Sequence, residues 1–494
     1  MIAMTLSEIA AVTGGGCSRV DGDPTVTAVE FDSRAVTDGG LFLALPGERA
    51  DGHDFAASAV ARGAAGVLAG REVDAPAVVV PAVDTRNTGT YLGATDPDGH
   101  GAAVLAALGK LSRHVLDALP GLAVVGVTGS AGKTSTKDLL AAVLAPLGST
   151  VAPPESFNNE LGTPYTALRA NSSTRHLVLE LSARGPGHIA ALCAVAPPRI
   201  GVVLNVGSAH LGEFGSPAAI ARAKGELVEA LPPGATLPGV TSGAGGVAVL
   251  NADDAAVAAM ASRTVARVVT FGRSAGADVR AEDETIDAGR ARFRLVTASG
   301  SAPVALRLVG AHQVSNALAA AAVALELGAD VAEVARSLSA AEPASRWRME
   351  VTDRADGVTV VNDAYNANPE AMRAALGALG SMAGEGDAHR RSWAVLGPMA
   401  EIGEGSTDVH AEIAAVAGEQ GVDRLVAVGC PDYGQRADHV ADVGEALALL
   451  RAGLEPGDLV LVKASRSAGL ERVAAGLLEP APPADAARTG LVTR

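Results

Sequence analysis

The chain has 494 residues, of which 48% are hydrophobic, 19% charged and 3% aromatic. That length leaves room for about three domains at roughly 150 residues each, and the composition is that of a packed globular protein rather than a disordered chain. A net charge of −16 repels a phosphate backbone and argues against general nucleic-acid binding, while a single nucleotide held by local backbone N–H groups stays open.

The first twenty residues include Glu8 and lack a basic start, so they do not read as a signal peptide. No apolar run is long enough to span a bilayer, so no membrane insertion is expected. Cys17, Cys193 and Cys430 are scattered without metal spacing and read as reduced thiols of a cytoplasmic protein. TAVEFDSRAV and GLFLAL then read as strands, DFAASAVARGA as a helix and AGVLA as a strand. The polar, glycine-rich stretch 84–100 reads as an exposed loop, and AAVLAALGKLSRHVLDAL after it as a helix.

From GLAVVGVTG onward, short apolar strands alternate with helices: KTSTKDLLAAVLAPLG, RHLVLELSA, GHIAALCAVA, PRIGVVLNVG and SPAAIARAKGELVEAL. Continuous apolar strands joined by helices predict a mostly parallel sheet covered on both faces. GVAVLNADD, ARVVTFG and the alternating ARFRLVTASGSAPVALRLVG add strands, and NALAAAAVALELG adds a helix. A third α/β block begins near 344, with loops after VTVVN, SWAVLG, DRLVAVG and DLVLVK. The expected organisation is α/β in three domains, 1–117, 118–343 and 344–480, with a disordered tail over 481–494. Ligands of open α/β sheets bind beyond the carboxyl ends of strands, so the post-strand loops hold the candidate site.

The strongest candidate is VGVTGSAGKTSTKD, residues 125–138. Strand, glycine loop and helix follow in the order a phosphate site needs, with backbone N–H groups and a helix N-terminus facing an anion. Gly129, Ser130, Ala131, Gly132 and Ser135 would line the phosphates, Lys133 would reach the terminal ones, and the Thr134 hydroxyl would bind Mg²⁺. The spacing departs from the usual G-x-x-x-x-G-K-[ST], because Val127 stands where the first glycine belongs. Glu180 ends an apolar strand and reads either as a ligand for a hard cation or as a strand-end salt bridge. His210 reads as a ligand or a packing histidine, Lys224 as a catalytic or a solvated lysine, and Asn158 and Asn159 as donors or a turn.

Taken together, TGSAGKTSTKD, FNNELGTP, LELSARGPGHI, LNVGSAHLGEFGS and ARAKGEL resemble the central ATPase domain of the Mur ligases, ATP-dependent amide ligases of peptidoglycan synthesis. The resemblance continues through GAHQVSNALAAAA, SRWRME, NDAYNANPEAM, VLGPMAEIGEGSTDVHAEI and LVKASRS, and back to FDSRAV and LFLALPGERADGHDF. The family's shortened T-G-[ST]-x-G-K-[TS] loop accounts for the unusual spacing. YNANP and MAEIGEGS…H look most like the type that adds D-alanyl-D-alanine.

The resemblance implies a small N-terminal α/β domain for the UDP-sugar, a central P-loop domain and a Rossmann-like C-terminal domain. It implies ATP and two Mg²⁺ ions. Thr134 and Glu180 would share the first ion, and His210 with Lys224, in carbamylated form, would serve the second. It puts His312 and Asn316 near adenine, Asp363 at the ribose, and Arg346 at the γ-phosphate after domain closure. Asn158 joins the ATP side; Asp32, Ser33, Arg34, Asp51, Gly52 and His53 join the UDP-sugar side; Asn159 binds substrate; Tyr365, Asn366 and Asn368 face the dipeptide. The implied substrates are UDP-N-acetylmuramoyl-tripeptide and D-alanyl-D-alanine, acted on by a cytoplasmic monomer. Three rivals stay open: a sibling ligase of the same fold, a paralogue taking an altered dipeptide such as D-Ala-D-lactate, and a nucleotide-binding protein that ligates nothing.

Overall fold

The computed structural model describes residues 1–47, 50–83, 92, 95–207, 214–233, 245–384, 386, 389–403 and 405–479. His210, most of the 84–100 stretch and the tail from 480 lie outside the described residues. No helix among those described is long and apolar enough to cross a membrane.

Three sheets, of five, nine and six strands, carry the chain in sequence order, with a two-stranded pair, Met4–Thr5 and Thr25–Val26, beside the first. In the five-stranded sheet Ala28–Glu30, Gly40–Leu43, Ala64–Ala69 and Ala77–Val79 run parallel, and Gly16–Ser18 closes one edge antiparallel. The helix His100–Asp117 then leads to the central sheet. Its start does not belong to an exposed loop, as the sequence suggested. Asp96 is buried and accepts from Gly101 N at 2.9 Å and Ala102 N at 2.7 Å, which caps free N–H groups of the first turn.

The nine-stranded sheet is parallel from Thr150–Val151 through His176–Glu180, Ala123–Thr128, Ile200–Val203, Val247–Asn251 and Arg267–Gly272 to Val279–Asp287. It ends in an antiparallel meander through Arg290–Thr297 and Gly300–Val309. As the apolar runs predicted, both faces of its parallel part are covered. One core lies under the helices Lys133–Leu144, His312–Glu326 and Val331–Ala340, the other under His188–Val195 and Pro217–Glu229. Each Val or Leu fully buried there contributes about 1.5–3 kcal/mol. Ala319 to Ala324 are all buried with Val323 among them, because this helix is wedged between its neighbour Lys133–Leu144 and the sheet, where only small side chains fit. The meander keeps one face wet, and Gly300–Val309 alternates buried and exposed residues accordingly.

In the six-stranded sheet Thr359–Asn362, Leu459–Lys463, Ser392–Leu396, Arg424–Val428 and Asp438–Val440 are parallel neighbours in that order, and Glu350–Asp353 pairs antiparallel at one edge. The carboxyl ends of its central strands face the phosphate loop of the nine-stranded sheet across a shared cleft.

Candidate functional site

The phosphate loop is set by register. Glu180 pairs with Val127 and Val203 with Thr128, so three parallel strands end together where residues 129–132 turn into the helix Lys133–Leu144. Asn205, just past the strand Ile200–Val203, braces the turn. Its Oδ1 accepts from Ala131 N at 2.9 Å, its Nδ2 donates to Ala131 O at 3.1 Å, and its carbonyl accepts from Ser130 N. Ser130 Oγ accepts from Gly207 N at 2.8 Å. Gly132 has φ +85°, and a Cβ there would stand 2.5 Å from Asn316 Oδ1. Gly132→Ala is therefore expected to weaken ATP binding about 5- to 30-fold, since left-handed backbone alone costs an alanine roughly 1–2 kcal/mol. Titration with ATP beside a thermal melt separates this from unfolding.

Three groups meet at the mouth of the loop, and a buried lysine lies within reach of the Lys133 charge. Lys133 Nζ donates to Gly129 O at 2.6 Å, and burial lowers its pKa against the attraction of Glu180 and Glu401. Thr134 Oγ1 lies 2.7 Å from Ser156 Oγ and 3.4 Å from Glu180 Oε2. Glu180 is fully buried. Its Oε2 also accepts from Asn158 Nδ2 at 3.4 Å, while Oε1 has no hydrogen-bond partner. Burial pushes the carboxyl up, opposed by Lys137, Arg348 and Lys133. A buried carboxylate oxygen left without a partner is costly by itself. A hard cation on that oxygen, beside the Thr134 hydroxyl, would satisfy it, so the residues present fit magnesium. Lys224, on the helix Pro217–Glu229, is buried and makes no hydrogen bond or ion pair among the described residues. Burial, reinforced by the nearby Lys133 charge, takes its pKa well below the ordinary lysine value.

Two connected cavities open from this point. One of 310 Å³ holds the phosphate loop with Asn158, Glu180, Tyr365, Asn366 and Asn368. The other, of 470 Å³, holds His312, Asn316 and Asp363. His312 Nδ1 is buried without a partner, and burial lowers the ring's pKa. Asn316 accepts from Thr136 Oγ1 at 3.2 Å and donates to Gln313 Oε1 at 2.9 Å, which ties its helix to the helix Lys133–Leu144 that opens at the phosphate loop.

The sequence reading missed several residues of this cleft. Arg346, expected at the γ-phosphate only after closure, is exposed here at a small recess beside Thr134 and Ser156. Arg348, two residues on, donates from Nη2 to Thr134 Oγ1 and to Ser156 Oγ, both at 3.1 Å, and lies 4.1 Å from the centre of the Tyr365 ring. Lys463 was also missed. Its Nζ lies 2.6 Å from Asp363 Oδ2 and donates to Asn366 O at 2.8 Å, joining the walls of the two cavities. Burial lowers the Lys463 pKa, and Asp363 raises it back in part. Asp363→Ala would leave that ammonium buried without its anion. The expected cost is about 3 kcal/mol of stability, to be read by denaturant unfolding followed at Trp393, in the same sheet.

Other expected residues do local structural work. Asn159 Oδ1 accepts from Gly162 N at 2.9 Å at the start of a short helix. Asp51 accepts from His53 N at 3.0 Å, lies 2.6 Å from His53 Nδ1 and pairs with Arg71, while His53 Nε2 accepts from Gly70 N at 3.1 Å. Gly52 passes so close to Leu45 that a Cβ would lie 2.6 Å from its backbone N and O. Asp32 and Arg34 pair with each other beside Ser33 at the surface. Next to them Phe31, Phe157 and Tyr165 stack edge to face, and the Tyr165 hydroxyl donates to Glu30 Oε2 at 3.2 Å, which joins the first sheet to the helix Gly162–Ala167.

Comparison with known proteins agrees with this architecture. Residues 25–114 match the family described as Mur ligase family, catalytic domain, residues 127–324 the Mur ligase middle domain, and residues 347–466 the Mur ligase, glutamate ligase domain. The UDP-N-acetylmuramoyl-tripeptide–D-alanyl-D-alanine ligase of Mycobacterium tuberculosis is 53% identical, over 97% of this chain and 98% of its own. The Escherichia coli protein of that name is 33% identical over 97% and 99%. Among solved structures, MurF from Acinetobacter baumannii superposes with a TM-score of 0.80 at 30% identity, covering 97% and 99%. MurF from Thermotoga maritima, solved in complex with ADP, gives 0.73 at 29% identity, covering 91% and 96%. The chain belongs to the Mur ligase family, among the relatives named UDP-N-acetylmuramoyl-tripeptide–D-alanyl-D-alanine ligase.

Proposed function

We propose that this enzyme joins D-alanyl-D-alanine to UDP-N-acetylmuramoyl-tripeptide at the expense of ATP, giving the pentapeptide, ADP and phosphate. The observation that carries the reading is the cleft itself: a phosphate loop and a buried half-satisfied carboxylate face the post-strand loops of a second α/β sheet. A nucleotide switch has no use for that opposing wall. The three sheets then correspond to three domains, 1–117, 118–343 and 344–480, with the UDP-sugar held by the first, in the region of Asp32, Ser33 and Arg34.

A carboxylate does not acylate an amine directly, because oxide is too poor a leaving group. The terminal carboxylate of the tripeptide therefore attacks the γ-phosphorus of ATP, ADP leaves, and an acyl phosphate results. Lys133, released from Gly129 O, and Arg348, already on Thr134, would neutralise the charge that builds on the transferring group. The dipeptide amine then attacks the acyl carbon, and phosphate departs with the electron pair of the broken C–O bond. His312, Asn316 and Asp363 hold the nucleoside side in the larger cavity. Tyr365, Asn366 and Asn368 wall the dipeptide side. An acyl phosphate hydrolyses readily, so domain closure bringing Arg346 inward would exclude water.

Thr134 and Glu180 would hold a first magnesium ion, and His210 with carbamylated Lys224 a second. Bound magnesium supplies further neutralisation of phosphate charge. A carbamate gives Lys224 two anionic oxygens, and it forms only from the neutral amine that burial favours.

Phosphate release from ATP, followed with UDP-N-acetylmuramoyl-tripeptide and either D-Ala-D-Ala or D-Ala-D-lactate, tests the reading. Release that requires both tripeptide and D-Ala-D-Ala is expected. Preference for the depsipeptide would indicate an altered acceptor, and no acceptor dependence would refute the ligase assignment.

A further inference from the structure

The loop after the strand Ser392–Leu396 has an unusually complete set of backbone anchors. Gly397 O accepts from the Tyr433 hydroxyl at 2.8 Å, and Pro398 O accepts from Ser465 N at 3.0 Å. Met399 N donates to His410 Nε2 at 3.0 Å, and Ala400 N donates to Ser465 Oγ at 2.9 Å. Four consecutive residues are thus fixed, and the next is Glu401, on the wall of the 310 Å³ cavity that contains Lys133. Its charge acts on Lys133 from across that cavity. His410, Cys430 and Asp432 lie close enough together to suggest a metal cluster. Both ring nitrogens of His410 are already engaged, however, Nδ1 lying 2.7 Å from Ser406 O. The histidine serves to hold the loop, and the loop serves to present Glu401.

We propose that Glu401 receives the ammonium group of the incoming dipeptide and takes the proton the nitrogen must lose before it attacks the acyl phosphate. The proposal rests on the ligase reading above. An α-amine near neutral pH is mostly ammonium, with its lone pair tied up in an N–H bond. Among the described residues, the other charged groups lining that cavity are Lys133, Arg348, Arg466 and Glu180, and the Tyr365 ring is also on its wall. The three cations repel an ammonium group. Glu180 lies against Thr134 and Asn158, in the position suited to a cation. Glu401 is the other carboxylate on this wall.

The proton balance closes. One ammonium proton passes to the Glu401 carboxylate and from there to water. The freed lone pair forms the C–N bond, the C–O bond to phosphate breaks, and the second proton leaves the nitrogen with the departing phosphate.

The test separates the two half-reactions in the full-length enzyme. Wild type must first show ADP release that depends on tripeptide and dipeptide; if it does not, the ligase reading falls and the proposal falls with it. In Glu401→Gln, acyl phosphate trapped by borohydride without dipeptide should form as in wild type. Amide formation should drop about 100-fold near pH 7 and recover as rising pH supplies free amine. Glu401→Asp, which keeps the carboxylate, should regain part of the rate and the flatter pH profile. The proposal is overturned by unchanged amide formation in the Gln variant, by an equal loss at every pH, or by a loss already present in acyl-phosphate formation. A Gln variant that does not fold leaves the decision to the Asp variant, for which the flatter pH profile of wild type is expected and a steep, amine-limited profile would overturn the proposal.

Discussion

Lys133→Ala lowers kcat by on the order of 10³-fold while leaving the fold intact. The expectation follows from what the side chain does without and with substrate. Without nucleotide, Lys133 Nζ donates to Gly129 O, within its own loop, and burial holds its pKa below the ordinary value. The loop is braced independently by Asn205 and Ser130, so truncation removes a charge and not the scaffold. With ATP bound, the polyanion favours the charged form, and the ammonium reaches the phosphates as negative charge moves during transfer. Arginine should not rescue, because its planar fork does not fit where a compact ammonium sits at the helix N-terminus. Steady-state turnover with a thermal melt checks this. Turnover within tenfold of wild type would show that the loop is not used as proposed.

Lys224→Met is expected to abolish turnover to a similar extent and, in carbon-dioxide-free buffer, to raise the melting temperature by a few degrees. The two effects have one cause. A buried amine with no partner is unfavourable when charged, so its folded pKa falls well below its unfolded value. Between those two values the unfolded chain binds the extra proton. Stability therefore rises with pH through that window, and the penalty is greatest below the folded pKa. Methionine fills a similar volume without a charge and removes the penalty, together with its pH dependence. An enzyme keeps such a lysine only if the neutral amine is useful, as it is for carbamate formation. Added bicarbonate should then stimulate wild type and leave the methionine variant inactive. A variant that is active, or is destabilised across the whole pH range, would contradict this account.

Where chemistry is local in the chain, the sequence was readable. The phosphate loop needed only a strand, two glycines and a helix start, and the apolar runs of the central sheet reflect burial on both faces. The strand Val279–Asp287 was passed over because its outer half is solvent-facing and acidic, so it shows no apolar period. The helix Val331–Ala340 was missed despite its Asp330 cap, whose side chain accepts from Glu333 N. The choice between Arg346 and Arg348 could not be made from spacing. Trp347 and Met349 both adopt left-handed backbone, φ 58° and 51°, so neither helical nor strand periodicity tells which arginine turns inward. Lys463 and Asp363 are a hundred residues apart. They meet because Asn362 and Val462 are register partners on adjacent parallel strands, which no local pattern encodes. Asp51 and His53 carry a family-like motif, yet their hydrogen bonds here fix backbone turns.

The most direct test of the central claim follows an oxygen atom. With heavy oxygen in the terminal carboxylate of the tripeptide, passage through an acyl phosphate places one labelled oxygen in each inorganic phosphate released during D-Ala-D-Ala addition. That transfer, dependent on tripeptide, dipeptide and ATP together, is the predicted result. Phosphate released without label would mean that the carboxylate is never phosphorylated, and the mechanism proposed for this cleft would be wrong.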